Sequence, residues 1–288
     1  MLIDSVKNLH RLFAKHPLSR EEPVRAWRRF LDWQIRSRLH KETIFEWIAG
    51  QSLLVTRGMT GATGNIYHGL HEFADMMVVL HFLREGDLFL DIGANVGSYS
   101  VLASGVCRAR TWAFEPDPVT AGYLAHNVKL NCLEKLVEIY QCALGPEEGD
   151  IPFTIGLDTE NKVASAGRGN ANVRIVQQKS LDKLIKNEKP TMMKIDVEGY
   201  EEAMLAGASE ALKIPSLKVI EIETVTLDTE NLLTKSGFKR AFYDPFTRVL
   251  DSKASAERSN NSLFVRDHSF VQKRLTEAAS VKILSRSI

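Results

Sequence analysis

Two short stretches place acidic side chains where an apolar run gives way to a turn. The first, Leu88 to Val101, reads LFLDIGANVGSYSV, with Asp91 at the end of the run and small residues from Gly93 to Ser98 leading into a helix. The second, KIDVEGYEEAML, puts Asp196 at a strand end and Glu198 just inside the helix expected to follow. A carboxylate at a strand end can meet a cation or take a proton, so these residue types open two kinds of chemistry: recognition of a positively charged ligand, and general acid–base work.

The glycine turn has the outline of a phosphate cradle but not its detail. Dinucleotide folds use G-x-G-x-x-G, in which the second glycine admits the pyrophosphate to the backbone. Counting from Gly93, Asn95 and Ser98 stand at the second and third glycine positions, and Gly97 is displaced by one. An anionic Asp91 would also repel a diphosphate and attract an ammonium or sulfonium. S-adenosylmethionine answers both features: the turn (Gly93, Ala94, Asn95, Gly97, Ser98) can hold its carboxylate, and acids at the strand ends can meet its positive charge.

The next apolar run, TWAFEPDP, ends in Glu115, placed to accept ribose hydroxyls, and Pro116 and Asp117 turn the chain into a helix. A third run, VEIYQCALG, brings Cys142 and Ala143 to the same edge, beside an adenine. Asp196 joins this cofactor set from the fourth strand and is, with Glu198, a candidate catalytic base. Glu223, at the end of KVIEIE, is a weaker third acid. The converging acids are also compatible with a divalent metal, as are His68, His71 and Glu72 on one expected helix face, but nothing in the sequence requires one.

The elements that must position these groups follow from periodicity. From Leu88 onward LFLDI, TWAFE, VEIYQ, TMMKID and KVIEIE alternate with candidate helices near Ser98 to Ala103, Pro118 to Leu130 and Tyr200 to Leu212. Such alternation predicts an α/β fold, a mostly parallel sheet with helices on both faces. Two further strands are expected in FKRAFYDPFTRVL and NSLFVRD, and a terminal helix over Ser269 to Ile288. Periodicity lapses between Asp158 and Asn172, which marks a long excursion.

Read in order, FLDIGANVGSYSVLA, AFEPDP, NVKLN, ALG, SLDKL, MKIDVEGYEEAMLAGA and NSLFV resemble the FkbM family of S-adenosylmethionine-dependent methyltransferases, over roughly Gly61 to Asp267. The resemblance implies a class I methyltransferase (Rossmann-like) fold of seven strands with a reversed last strand. It further implies O-methylation of a hydroxyl on a sugar, glycolipid or polyketide-type product. It also favours His71 and Glu72 as crevice residues, since the family often carries an acid just before GDLFLDIGAN. The fourth strand lacks the N-P-P-Y tetrapeptide of amino-group methyltransferases, and this favours oxygen as the acceptor atom.

The chain divides into an N-terminal helical extension (1–60), a methyltransferase domain (61–267) and a C-terminal helical tail (268–288). Within the extension, EPVRAWRRFLDWQIRSRL repeats Val24, Trp27, Leu31, Ile35 and Leu39 at helical spacing with arginines between. The apolar face is expected to pack on the domain with the arginines in solvent; peripheral contact with anionic lipid or an acidic glycan is the alternative. The acceptor pocket is expected to draw on this extension, on the excursion and on a loop bearing Tyr243 and Asp244. With 288 residues, 44% hydrophobic, the chain can bury a large core. A net charge of +1 and the absence of a basic aromatic stripe argue against nucleic acid as partner. Three cysteines without C-x-x-C spacing indicate neither zinc nor a disulfide framework. There is no apolar run of transmembrane length and no leader-like start, so a soluble, cytoplasmic protein is expected. A non-catalytic cofactor-fold module docking on membranes or glycans, and a nicotinamide-dependent oxidoreductase, remain the competing readings.

Overall fold

The computed structural model describes residues 2–155, 163, 172–251 and 261–288. Helices α1 (Leu2–Lys15) and α2 (Pro23–Leu39) precede a hairpin of β1 (Glu42–Glu46) and β2 (Ser52–Thr56), followed by α3 (Thr60–His68) and α4 (Phe73–Phe82). The alternating part runs β3 (Leu88–Ile92), α5 (Ser98–Val101) continued by a wider turn to Val106, β4 (Arg110–Phe114), α6 (Pro118–Leu130) and β5 (Val137–Tyr140). A side sheet of β6 (Ala143–Leu144), β7 (Gly149–Thr154) and β8 (Val173–Lys179) leads to α7 (Leu181–Ile185), β9 (Met192–Ile195), α8 (Glu201–Ala206), β10 (Val219–Ile222) and α9 (Leu227–Lys235). The chain continues through β11 (Lys239–Asp244), β12 (Val249–Asp251), β13 (Ser262–Val265) and α10 (His268–Thr276), then a short hairpin of β14 (Lys282–Ile283) and β15 (Arg286–Ser287).

The central sheet has the order β12-β11-β13-β10-β9-β3-β4-β5. The neighbours from β10 through β5 are parallel, and β13 lies antiparallel between β10 and β11. The seven strands and the reversed last strand expected from the family resemblance are therefore present, with β12 added at the edge. The five-residue run of β3 and the four-residue runs of β9 and β10 are buried throughout, as strands covered on both faces must be. Helix α6 starts where Asp117 accepts the amide of Thr120 and Pro118 occupies the first turn.

The pleat sends alternate residues to two cores. Leu90, Met193, Ile195, Ile220 and Ile222 join Phe238 and Phe264 on one face. Phe89, Met192 and Val219 join Phe82, Met77 and Ile283 on the other. Along that second face the next positions toward the carboxyl ends are Asp91, Lys194 and Glu221, which stand in register on three adjacent strands. One face thus changes from apolar to ionisable within two residues, beneath α4 and α5.

Three expectations need correction. The extension is not purely helical, because Leu53 and Val55 of β2 are buried against Val96, Leu124 and Val128 and so share a core with the domain. The tail is helical only to Thr276; beyond it Ile283 and Ile288 are buried, which ties the last residues down as a hairpin. In α2, Val24, Leu31, Ile35 and Leu39 are solvent-exposed, whereas Ala26 and Trp33 are buried, so the helix is rotated from the expected packing. The excursion between Asp158 and Asn172 lies outside the described residues except for Val163 and Asn172.

Candidate functional site

A cavity of about 260 Å³ opens at the carboxyl ends of β3, β4, β9 and β10, with α3 and α4 on one side and β6 and β7 on the other. Of the residues singled out from the sequence, Gly93, Ala94, Asn95, Ser98, Glu115, Pro116, Cys142, Ala143, Asp196, Glu198, Glu223, His71 and Glu72 line it. Its walls carry Met76, Val96, Phe114 and Phe153, and among the described residues its acids are Glu72, Glu115, Asp196, Glu198 and Glu223, against Lys194 and His71. Such a lining disfavours a diphosphate and suits a cation.

Gly93 shapes the first rim. Its φ is +80°, and a Cβ there would stand 1.8 Å from the carbonyl oxygen of Asp196, so the turn and the end of β9 touch backbone to backbone. Asn95, also left-handed at φ +50°, donates its amide to Glu115 Oε2 at 3.0 Å, and Asp117 donates its amide to Glu115 Oε1 at 2.9 Å. The Glu115 carboxyl is thereby aimed before any ligand arrives. Burial pushes its pKa up to about 8 despite those two amides.

The second rim is crowded with like charge. Asp196, Glu198 and Glu223 can each present an oxygen within 4.8 Å of the others, a donor set that could hold a divalent cation. Burial, then Asp196 and Glu198, raise Glu223 to about 8, and its Oε2 has no hydrogen-bond partner. Glu198 sits at φ +53° in the turn before α8, not inside the helix as the spacing suggests, because β9 ends in a sharp reversal through Gly199.

Beneath both rims lies a charge network that the sequence did not announce. Lys194 Nζ donates to Asp196 Oδ2 at 2.5 Å and stands 4.5 Å over the Tyr99 ring, whose hydroxyl donates to Glu72 Oε2 at 2.8 Å. Burial opposes the charge on Lys194, but Asp196, Glu72 and Asp91 outweigh it and hold the amine above its ordinary value. Glu221 is fully buried with neither carboxyl oxygen hydrogen-bonded, and burial followed by the nearby Asp75 holds its pKa well above the ordinary carboxylate value. The signal for Lys194 was a lone lysine inside the apolar run MMKI, which a central strand keeps only when it is paired.

Other assignments shift. Asp91 does not line the cavity: it is buried below the turn, accepts from Ser100 Oγ at 2.6 Å, and leaves Oδ1 unpartnered. The turn residues lie between it and the cavity, and burial raises its pKa above the ordinary aspartate value. Asp117 caps α6 and pairs with Arg174 at 3.6 Å, and Gly97 packs on Leu124 at the start of α5, so neither lines the cavity. Tyr243 is not in a loop but in β11, where it shares a 2.5 Å hydrogen bond with His81 Nδ1 away from the cavity. His68 and His71 do not share a helix face, since α3 ends at His68. Their rings still stack, at 6.2 Å, and His68 also stacks on His16 at 4.1 Å and bonds Ser19 Oγ; burial lowers His16 to about 4 and His68 to about 2, leaving both rings neutral. His71 lines the cavity, its amide donated to Asn65 Oδ1 at 2.8 Å.

A family model described as the methyltransferase FkbM domain matches residues 91–247, more than half of the chain. The hexuronic acid methyltransferase AglP of Haloferax volcanii is 28% identical over 148 residues, 50% of this chain and 59% of that protein. Methyltransferase sdnD of Sordaria araneosa is 27% identical over 172 residues, 48% of this chain and 66% of that protein. The chain therefore spans less than two thirds of the length of either relative. Among solved structures, methyltransferase FkbM from Methylobacillus flagellatus aligns with a TM-score of 0.44 at 15% identity, over 83% of this chain and 59% of that one. The matched stretch holds both rims but not His71 or Glu72.

Proposed function

The chain belongs to the FkbM methyltransferase family, and on that premise we propose that it is an S-adenosylmethionine-dependent O-methyltransferase acting on a hydroxyl of a sugar, glycolipid or polyketide-type metabolite. The observation that carries this reading is the lining of the cavity: among the described residues, carboxyl groups from four elements face one ammonium, and Glu115 is oriented by two backbone amides. The residues fit the cofactor. Glu115 retains acceptor capacity for a pair of ribose hydroxyls, the backbone from Gly93 to Asn95 is open to a carboxylate, and Cys142 and Ala143 border the space for an adenine. Bound there, S-adenosylmethionine supplies a methyl group on a cationic sulfur.

The chain's own part is to hold, dry and deprotonate the acceptor. Met76, Phe114 and Phe153 exclude water from the cavity, and fixing two reactants in attack geometry is worth about 7–11 kcal/mol. An alcohol must lose its proton as the new bond forms. Asp196 and Glu223 stand at the ends of neighbouring strands, where burial and then Asp196 raise Glu223 to about 8. A carboxylate of this pair takes the hydroxyl proton, while Lys194 fixes Asp196 and offsets part of the negative charge. That a relative at 28% identity is named for hexuronic acid supports a sugar as acceptor.

Titration calorimetry with S-adenosylmethionine and its demethylated product tests the cofactor, and both are expected to bind. Binding of NADH with neither of them would overturn the assignment. Transfer of labelled methyl to fractionated glycans, lipids and small metabolites, with the product bond identified by mass spectrometry, tests the acceptor; label on nitrogen would reject O-methylation.

A further inference from the structure

Helix α2 wears its apolar side outward. Val24 is 81% exposed, Leu31 55%, Ile35 59% and Leu39 72%, and at helical spacing these four make one stripe along the helix. The opposite side is firmly docked. Trp33 is buried with Leu53, Val55 and Ile66, and Phe13 meets Trp27 edge to face at 5.3 Å. Arg29 donates from Nε to the carbonyl of Tyr67 at 2.8 Å and from Nη1 to Glu22 at 2.6 Å. Rotating the helix to hide the stripe would break all of these, so the exposure is built in.

The charges around the stripe are one-sided. Arg28 (side chain 83% exposed) and Arg38 lie among the apolar residues and Arg25 and Arg36 flank them; Asp32 stands 3.9 Å from Arg28, and Glu22, at the start of the helix, pairs with Arg25 at 3.3 Å, so the arginines still outnumber the acids along the stripe. A convex helix face with four large aliphatic side chains and four arginines matches the boundary between acyl chains and anionic headgroups, where aliphatic groups enter the hydrocarbon and guanidinium groups stay at the phosphates. A second copy of the chain would have to bring four arginines against four arginines in an isologous contact, which costs repulsion.

We propose that the outer face of α2 docks the protein on an anionic lipid bilayer. The helix packs on α3, and α3 contributes Thr60, Gly61, Ala62 and Asn65 to the cavity wall, so the docked surface is one helix away from the site. The proposal stands independently of the acceptor, because binding to lipid is read without turnover.

The experiment is co-sedimentation of the full chain with vesicles of phosphatidylcholine alone and of phosphatidylcholine mixed with phosphatidylglycerol. The expected result is binding to the mixed vesicles, weakened by salt, and at least about tenfold weaker binding to neutral ones. The quadruple variant V24S/L31S/I35S/L39S and the quadruple variant R25Q/R28Q/R36Q/R38Q should each lose at least about tenfold in partitioning, with thermal midpoints close to the parent because these side chains are exposed. Absence of binding by the parent overturns the proposal, as does equal binding by parent and both variants. Sedimentation velocity supplies the remaining arm: a dimer that becomes a monomer in the aliphatic variant would assign the stripe to a second copy of the chain, against the proposal.

Discussion

The two rims of the cavity are built on opposite terms. On the β3–β4 rim, Glu115 is tied to two backbone amides, Asn95 Oδ1 accepts from Val96 and Asp117 accepts from Thr120, so its geometry is set before a ligand arrives. On the β9–β10 rim, Asp196, Glu198 and Glu223 crowd together, Glu223 Oε2 is unpartnered, and Glu198 holds a left-handed backbone. The first rim resembles a rigid receptor. The second keeps an unsatisfied carboxyl, which costs stability and is what proton transfer needs. Preorganisation and like-charge crowding are thus divided between neighbouring strand ends of one sheet.

The largest effect should come from the point where the rims touch. Gly93→Ala would place a Cβ 1.8 Å from the Asp196 carbonyl oxygen and at a positive φ, so it should cost upward of about 3 kcal/mol in urea unfolding and remove cofactor binding and turnover together. A loss below about 1 kcal/mol would show that the rims move independently. Gly86→Ala, also at positive φ but with open space around it, is the control, expected at about 1 kcal/mol.

Next, Asp196→Asn and Glu223→Gln should each lower turnover by about 10²- to 10⁴-fold while cofactor affinity stays within a few-fold of the parent, as measured by calorimetry alongside a methyl-transfer assay. Unchanged turnover in both would remove the carboxyl pair from proton transfer. Glu115→Gln should do the reverse. Its amide group must face one of two backbone donors, so affinity for the cofactor should fall by about tenfold to a hundredfold, with turnover at saturation largely kept. Equal losses in affinity and turnover would dissolve the distinction between the rims.

The smallest effect is on pH dependence. Glu115 and Glu223 are both raised from 4.5 to about 8, so the folded state holds protons that the unfolded chain has released. Their contribution to stability is full below pH 4.5 and is lost as pH rises through about 8, and Glu223→Gln should flatten that decline in thermal unfolding. A cation entering the cavity favours the ionised carboxyls, so S-adenosylmethionine should release more protons at pH 7 than its uncharged-sulfur product does. Calorimetry in buffers of different ionisation enthalpy measures the difference; equal release would place the sulfur away from both acids.

Much of this was legible in residue order. The strands β3, β9 and β10 announce themselves as apolar runs because buried parallel strands need no polar alternation, and the Asp117-Pro118 pair marks the start of α6. Glu115, Asp196 and Glu223 could be placed at strand ends on the same grounds. Asp91 was harder: its strand-end position is clear, but whether a side chain lines a wall or sits behind it depends on the turn above. Tyr243 was given to a loop because it stands at the end of its strand, next to Asp244, and His81, its partner, is distant in sequence. The stripe on α2 has the same pattern whether it faces a core or a bilayer, so periodicity alone could not orient it.

The amino-acid order by itself determined which segments become strands and helices, and which side chains stand at the carboxyl edge of the sheet, because those follow from local periodicity and turn chemistry. Only the tertiary structure decided that Lys194 lies between Asp91 and Glu221, that Gly93 abuts Asp196, and that Val24, Leu31, Ile35 and Leu39 look outward. These depend on which strands become neighbours and on how a helix is rotated against its support, and both are settled by contacts between residues far apart in the chain.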